Sequence, residues 1–172
     1  MTTFPLPTPR ATRELARRVA PLIERGDLVI LTGPLGSGKT YFTRALCRAL
    51  GLPPRVRVPS PTFTLVHEHA TSPPLSHADL YRLRDGADVR SLGLDSQRDD
   101  GRVLVVEWGE PYIELLGGDA LIIELSLDPR RADVRSSGGP RGEAIVQALG
   151  TSGASAQPDD LGGKGPNRDG GS

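Results

Sequence analysis

Leu28-Val29-Ile30-Leu31-Thr32-Gly33-Pro34-Leu35-Gly36-Ser37-Gly38-Lys39-Thr40 is the stretch on which the fold turns. Leu28 to Leu31 is an unbroken apolar run of strand length, the pattern of a strand buried on both faces. The glycine-rich loop Gly33 to Thr40 follows at once. Beyond it Phe42, Ala45, Leu46, Ala49 and Leu50 recur at helical spacing, and Gly51 and Pro53 end the helix. Strand, glycine loop and helix in this order form the context that a phosphate-binding loop requires. Gly33 and Gly38 permit backbone conformations and close approaches that a side chain blocks. Amides around Gly36 to Thr40, Ser37 and Tyr41 among their neighbours, then surround phosphate oxygens at the helix start. Lys39 is expected to reach the β- and γ-phosphates and the Thr40 hydroxyl to ligate Mg²⁺, so ATP or a close relative is the expected ligand.

Working outward, Thr8 is a helix N-cap with Pro9 at the first helical position. Leu15, Val19, Leu22 and Ile23 then share one face, Pro21 breaks the pattern and Gly26 closes it. Downstream, Thr62 to Val66 reads as extended because it is rich in β-branched and aromatic residues. Leu75 to Tyr81 reads as a further extended piece. Arg84 to Asp100 reads as helical in part, with a turn near Leu92-Gly93-Leu94. Val103 to Val106, Leu121 to Leu125 and Ala132 to Arg135 read as strands, and Ala144 to Leu149 as a short helix. The expected fold is α/β: a three-layer P-loop NTPase-like domain over residues 1–150 with a mixed, mainly parallel sheet. The strands of Val29 and Val105 are expected at its centre, with helices on both faces. Ten of the 21 glycines follow Ser136. From Thr151 to Ser172 too little apolar surface is available to offset the entropy of ordering, so a disordered tail is expected there.

The 172 residues suit one domain with a hydrophobic core. Lys and Arg number 21 and Asp and Glu 21, so no overall positive field favours autonomous binding to nucleic acid. Cys47 is the single cysteine, which excludes an internal disulfide and a multi-cysteine zinc site. With no apolar stretch of bilayer length and no secretory signature at Met1 to Pro5, a soluble, cytoplasmic protein is expected.

The metal needs a second acidic group. Glu107 stands at the carboxyl end of the run Val103 to Val106, where ligands of open α/β sheets bind. It either holds Mg²⁺ through water or orients the attacking water. Asp79, at the end of its own strand, either joins this chemistry or forms a surface ion pair with Arg82 or Arg84. His67 and His69 alternate on one strand face and read as solvated, Trp108 as a packing residue beside the site, and Cys47 as inert.

Four segments together resemble the TsaE (YjeE) family of bacterial P-loop ATPases: Gly33 to Thr40, Ser60-Pro61-Thr62-Phe63-Thr64-Leu65, His77-Ala78-Asp79-Leu80-Tyr81-Arg82-Leu83 and Val106-Glu107-Trp108-Gly109-Glu110. The resemblance runs from about Thr8 to Leu149. It implies an accessory ATPase in making threonylcarbamoyladenosine, the modified base beside the anticodon of tRNAs reading codons that begin with A. The implied partner is the TsaB–TsaD heterodimer, with tRNA reached only through it. By the same resemblance Thr40 and Glu107 are the Mg²⁺ ligands, Asp79 lies close to metal and γ-phosphate, and Lys39 and the loop amides hold phosphate. Thr12 matches a threonine near the adenine and Arg131 a late nucleotide contact. The chain departs from the family at Pro34, usually acidic, and at Ser37, often alanine. Two other readings of the same loop stand beside this one: a small-molecule kinase, and a nucleotide-dependent binding module with negligible hydrolysis.

Overall fold

The apolar runs that the sequence marks out are the strands of a seven-stranded sheet in a computed structural model that describes residues 1–151. In chain order the elements are β1 (Thr2–Pro5), α1 (Pro9–Val19), β2 (Leu28–Thr32), α2 (Lys39–Ala49), β3 (Val66–His69) and β4 (Leu75–Asp79). Then come α3 (Gly86–Ser91), α4 (Leu94–Asp99), β5 (Val103–Glu107), β6 (Ala120–Leu127), β7 (Arg130–Ser136) and α5 (Pro140–Thr151). The strand order is β1-β7-β6-β2-β5-β4-β3. The four inner strands, β6, β2, β5 and β4, run parallel, and the flanking pairs β1–β7, β7–β6 and β3–β4 are antiparallel. β2 and β5 thus sit side by side at the centre.

Alternation along the strands makes two cores. Val29, Leu31, Val105, Leu121 and Ile123 face one side, where Leu15 and Val19 of α1, Phe42 and Leu46 of α2 and Ile145 and Leu149 of α5 cover them. Leu28, Ile30, Leu104, Val106 and Ile122 face the other and meet Val89 of α3, Leu94 of α4 and Ile113 and Leu116. Burial on both faces is why these strands read as continuous apolar runs. The Thr8 hydroxyl accepts from the Ala11 N–H at 3.2 Å, and α1 passes at Pro21 into a single 3-10 turn, Ala20–Leu22. The break expected at Pro21 takes that form because proline has no N–H to continue the ladder.

Two segments and one residue differ from expectation. Thr62 to Thr64 is a turn rather than a strand, and β3 begins only at Val66. The Leu65 N–H closes the turn on the Pro61 carbonyl, Leu65 takes φ 67°, and the Thr62 hydroxyl is drawn to Asp79. Tertiary hydrogen bonding here overrides β propensity, and Phe63 is left 79% exposed. β1 is an additional edge strand, zipped antiparallel to β7 with Thr2 opposite Val134. His69 is buried, not solvated, and packs near His77 with ring centroids 6.5 Å apart. α5 reaches Thr151, and the tail expected beyond it lies outside the described residues. Among those residues no helix is long and apolar enough to cross a membrane.

Candidate functional site

The parallel strands deliver their carboxyl ends to one edge of the sheet, and the loop between β2 and α2 crosses it there. Gly33, Gly36 and Gly38 have φ of 123°, 78° and 105°, a region that suits glycine. At Gly33 a Cβ would also fall 2.1 Å from the Leu125 carbonyl oxygen, so β6 is packed directly against the loop. Gly38 caps α2, whose first residue is Lys39, which leaves the first N–H groups of the helix without intrahelical partners. The Ser37 hydroxyl is buried with no hydrogen-bond partner among the described residues.

Lys39 is buried, and its Nζ donates to the carbonyls of Gly33 at 2.9 Å and Pro34 at 3.0 Å. The ammonium also lies 4.3 Å from the centre of the Trp108 ring, a cation–π distance. Burial pushes its pKa below the ordinary lysine value, opposed by the nearby charges of Glu107 and Asp79. Trp108 reaches this position with φ 63°, its N–H bonded to the Leu31 carbonyl, and its ring meets Tyr81 at 5.1 Å. It is thus both the packing residue expected beside the site and part of the site wall.

Asp79 and Glu107 end adjacent parallel strands in direct register. Both are buried and both line the same cleft of about 430 Å³ with Gly36, Lys39, Thr40 and Trp108. Glu107 Oε1 accepts the Thr40 hydroxyl at 2.8 Å and lies 2.9 Å from His77 Nε2. Asp79 forms no ion pair with Arg82 or Arg84. Its Oδ2 accepts from the Thr62 hydroxyl at 2.8 Å and its Oδ1 from the Tyr81 N–H at 3.0 Å, while Arg82 stacks over Phe63 at 4.2 Å. The cleft is therefore a wall of hard oxygen donors facing an ammonium and a helix start.

A second cavity, about 380 Å³, shares Gly38 and Tyr41 with the first and is otherwise lined by residues that include Leu6, Pro9, Thr12, Ser37 and Arg130. The Tyr41 hydroxyl accepts from Arg13 at 2.8 Å and donates to the Pro9 carbonyl at 3.4 Å, which ties α2 to α1 at the boundary between the two spaces. Thr12 is thus on the wall of this second cavity. Arg131 is not: it lines neither cavity, and its guanidinium is bound to Asp133 at 2.8 Å, while its neighbour Arg130 faces the space instead. The two neighbours part because strand alternation turns successive side chains to opposite faces. Sequence reasoning also missed His77 and Thr62 as partners of the two carboxylates. Both stand inside the quoted motifs, but nothing in their spacing says which acid each would meet. Cys47 is fully buried, with burial pushing its thiol to about 12.

The family model described as threonylcarbamoyl adenosine biosynthesis protein TsaE matches residues 6–135, most of the chain and all of the cleft. The chain belongs to the TsaE family. Among its relatives, the tRNA threonylcarbamoyladenosine biosynthesis protein TsaE of Streptomyces coelicolor is 47% identical over 117 residues, 66% of this chain and 77% of that protein. The protein of the same description from Bacillus subtilis is 34% identical over 144 residues, 82% of this chain and 89% of that one. The crystal structure of YdiB from Bacillus subtilis superposes with a TM-score of 0.73 at 28% identity, covering 88% of this chain and 95% of that chain. The TsaE family and the P-loop NTPase fold imply nucleotide binding.

Proposed function

We propose that this TsaE-family chain is a cytoplasmic, Mg²⁺-dependent ATPase supporting formation of N6-threonylcarbamoyladenosine beside the anticodon of tRNAs that read codons beginning with A. It does so by acting on a TsaB–TsaD heterodimer, with residues 1–150 as the working domain. The observation that carries this reading is the register of Asp79 with Glu107 across from Thr40 and Lys39. The relatives' names supply the pathway.

Lys39 and the amides of Gly36 to Tyr41 hold the phosphates, and the paired cavity takes the base beside Thr12 and Tyr41, with Arg130 rather than Arg131 at its edge. Among the described residues no three His, Cys, Asp or Glu side chains form a metal cage. Thr40 and Glu107, held together by a hydrogen bond of 2.8 Å, are oxygen donors that suit an ion that keeps its waters and completes its shell with substrate phosphate, as Mg²⁺ does. When bound, Mg²⁺ neutralises the charge that develops on the phosphates. Asp79, oriented by Thr62 and the Tyr81 N–H, is placed to accept a hydrogen bond from the attacking water. A kinase reading lacks support, because α3 and α4, in the segment where a lid would be needed, contribute Val89 and Leu94 to the sheet's second core instead. Zero net charge favours tRNA presented by the partners over direct capture.

The test is complementation of a bacterium depleted of its own family member, with tRNA nucleosides read by mass spectrometry. The wild-type chain should restore the modified nucleoside and Glu107→Ala should not. Failure of the wild-type chain, expressed and folded, contradicts the proposal.

A further inference from the structure

Glu107 meets more than the nucleotide loop. Its Oε1 lies between the Thr40 hydroxyl at 2.8 Å and His77 Nε2 at 2.9 Å. His77 stands on β4 opposite Val105 of β5, so its ring reaches two residues along the neighbouring strand to the carboxylate. The imidazole is wholly buried, at 0% exposure, and its Nδ1 has no hydrogen-bond partner among the described residues.

The tautomer follows from elementary pairing. An ionised carboxylate only accepts, so the ring nitrogen facing it must carry the proton. Placing the proton on Nδ1 instead would set the Nε2 lone pair against those of Oε1 and would bury an unpaired N–H. A buried orphan donor is the rarer and costlier defect. The β4–β5 ladder is already complete through backbone hydrogen bonds, so the strands do not require this side-chain bond to pair. What the bond does fix is the carboxylate.

We propose that His77, as its Nε2–H tautomer, is a positioning residue for the nucleotide site. It pins Glu107 Oε1 beside Thr40 and leaves Oε2, which has no hydrogen bond among the described residues, as the oxygen presented to a cation or water at the phosphates. This rests on the reading of Thr40 and Glu107 as the Mg²⁺ pair. His77 touches neither metal nor nucleotide; it acts through Glu107. Groups that orient a metal-binding carboxylate change metal affinity by about 10–100-fold when removed.

The test uses the full chain and the fluorescence of Trp108, its only tryptophan, which lines the cleft. ADP is titrated in EDTA and then at rising Mg²⁺ for wild type, His77→Gln, His77→Asn and His77→Leu. The Gln amide nitrogen reaches the place of ring Nε2, whereas Asn is too short. Wild type and Gln should share a Mg²⁺ midpoint within about 3-fold, while Asn and Leu require about 10–100-fold more. ADP affinity in EDTA should be the same in all four. If wild type responds to Mg²⁺ but Asn and Leu match it, or Gln behaves as Asn does, the positioning role is overturned alone. If wild-type ADP binding is indifferent to Mg²⁺, the metal reading fails and this inference with it. Independently of variant stability, the histidine ¹⁵N spectrum of the wild-type chain should show the His77 proton on Nε2; a proton on Nδ1 overturns the proposal.

Discussion

Lys39 is held at three points, the Gly33 and Pro34 carbonyls and the Trp108 face, so its charge is delivered to the cleft by the loop itself. Lys39→Met keeps the stem and removes that charge. A hydrogen bond to a charged group is worth about 1.5–3 kcal/mol, so ADP affinity by Trp108 fluorescence should fall about 10–150-fold with an unchanged circular dichroism spectrum. An unchanged affinity would remove Lys39 from the phosphate site. His69 supports a second prediction at this scale. Its pKa is lowered to about 4, first by burial and then by His77, His67, Arg48 and Arg102. At pH 7 the ring is neutral in the fold and largely neutral in the unfolded chain, so it contributes little there. Below about 6.5 the unfolded chain takes up a proton that the fold refuses until about 4, so stability falls across that window and levels off beneath it. The loss is on the order of 3 kcal/mol, and His69→Leu should lack it when urea midpoints are compared at pH 7 and 4.5. Equal losses in both proteins would contradict the assignment. The residues of the site were legible where a motif has one geometry, as at Lys39, Thr40 and Glu107. His77 and Thr62 were not, because a side chain's partner on another strand depends on register.

The loop between β2 and α2 works as an element because β6 closes behind it. Gly33→Ala places a Cβ against the Leu125 carbonyl and strains a residue at φ 123°, whereas Gly36→Ala meets no atom within 4 Å and strains only its φ of 78°. Positive-φ strain costs about 1–3 kcal/mol, so Gly36→Ala should lose that much and Gly33→Ala clearly more, judged by urea unfolding. Equal losses would show that β6 does not constrain the loop. Elements with a single periodic signal, β2, α2 and β5, could be read directly from their apolar spacing. Thr62 to Val66 could not, since its β-branched residues serve a turn that hands a hydroxyl to Asp79. β1 escaped notice because four residues at an edge carry no period of their own and gain their structure from β7.

At the scale of the whole molecule, the two continuous apolar strands were enough to foresee a parallel centre with helices on both faces. The antiparallel rims were less legible, because edge pairing is set by connections rather than by composition. The assembled fold brings a lysine, a threonine and two carboxylates from β2–α2, β4 and β5 to one opening rimmed by exposed Leu35 and Tyr81. We infer that this opening hydrolyses ATP in the service of the TsaB–TsaD pair. Phosphate release from ATP and Mg²⁺ should therefore be measured for the full chain alone, with the TsaB–TsaD pair, and for Glu107→Ala with the pair. Release should be slow for the chain alone, change in rate when the pair is added, and be lost in Glu107→Ala; a rate indifferent to the pair, or intact in Glu107→Ala, would rule out that role.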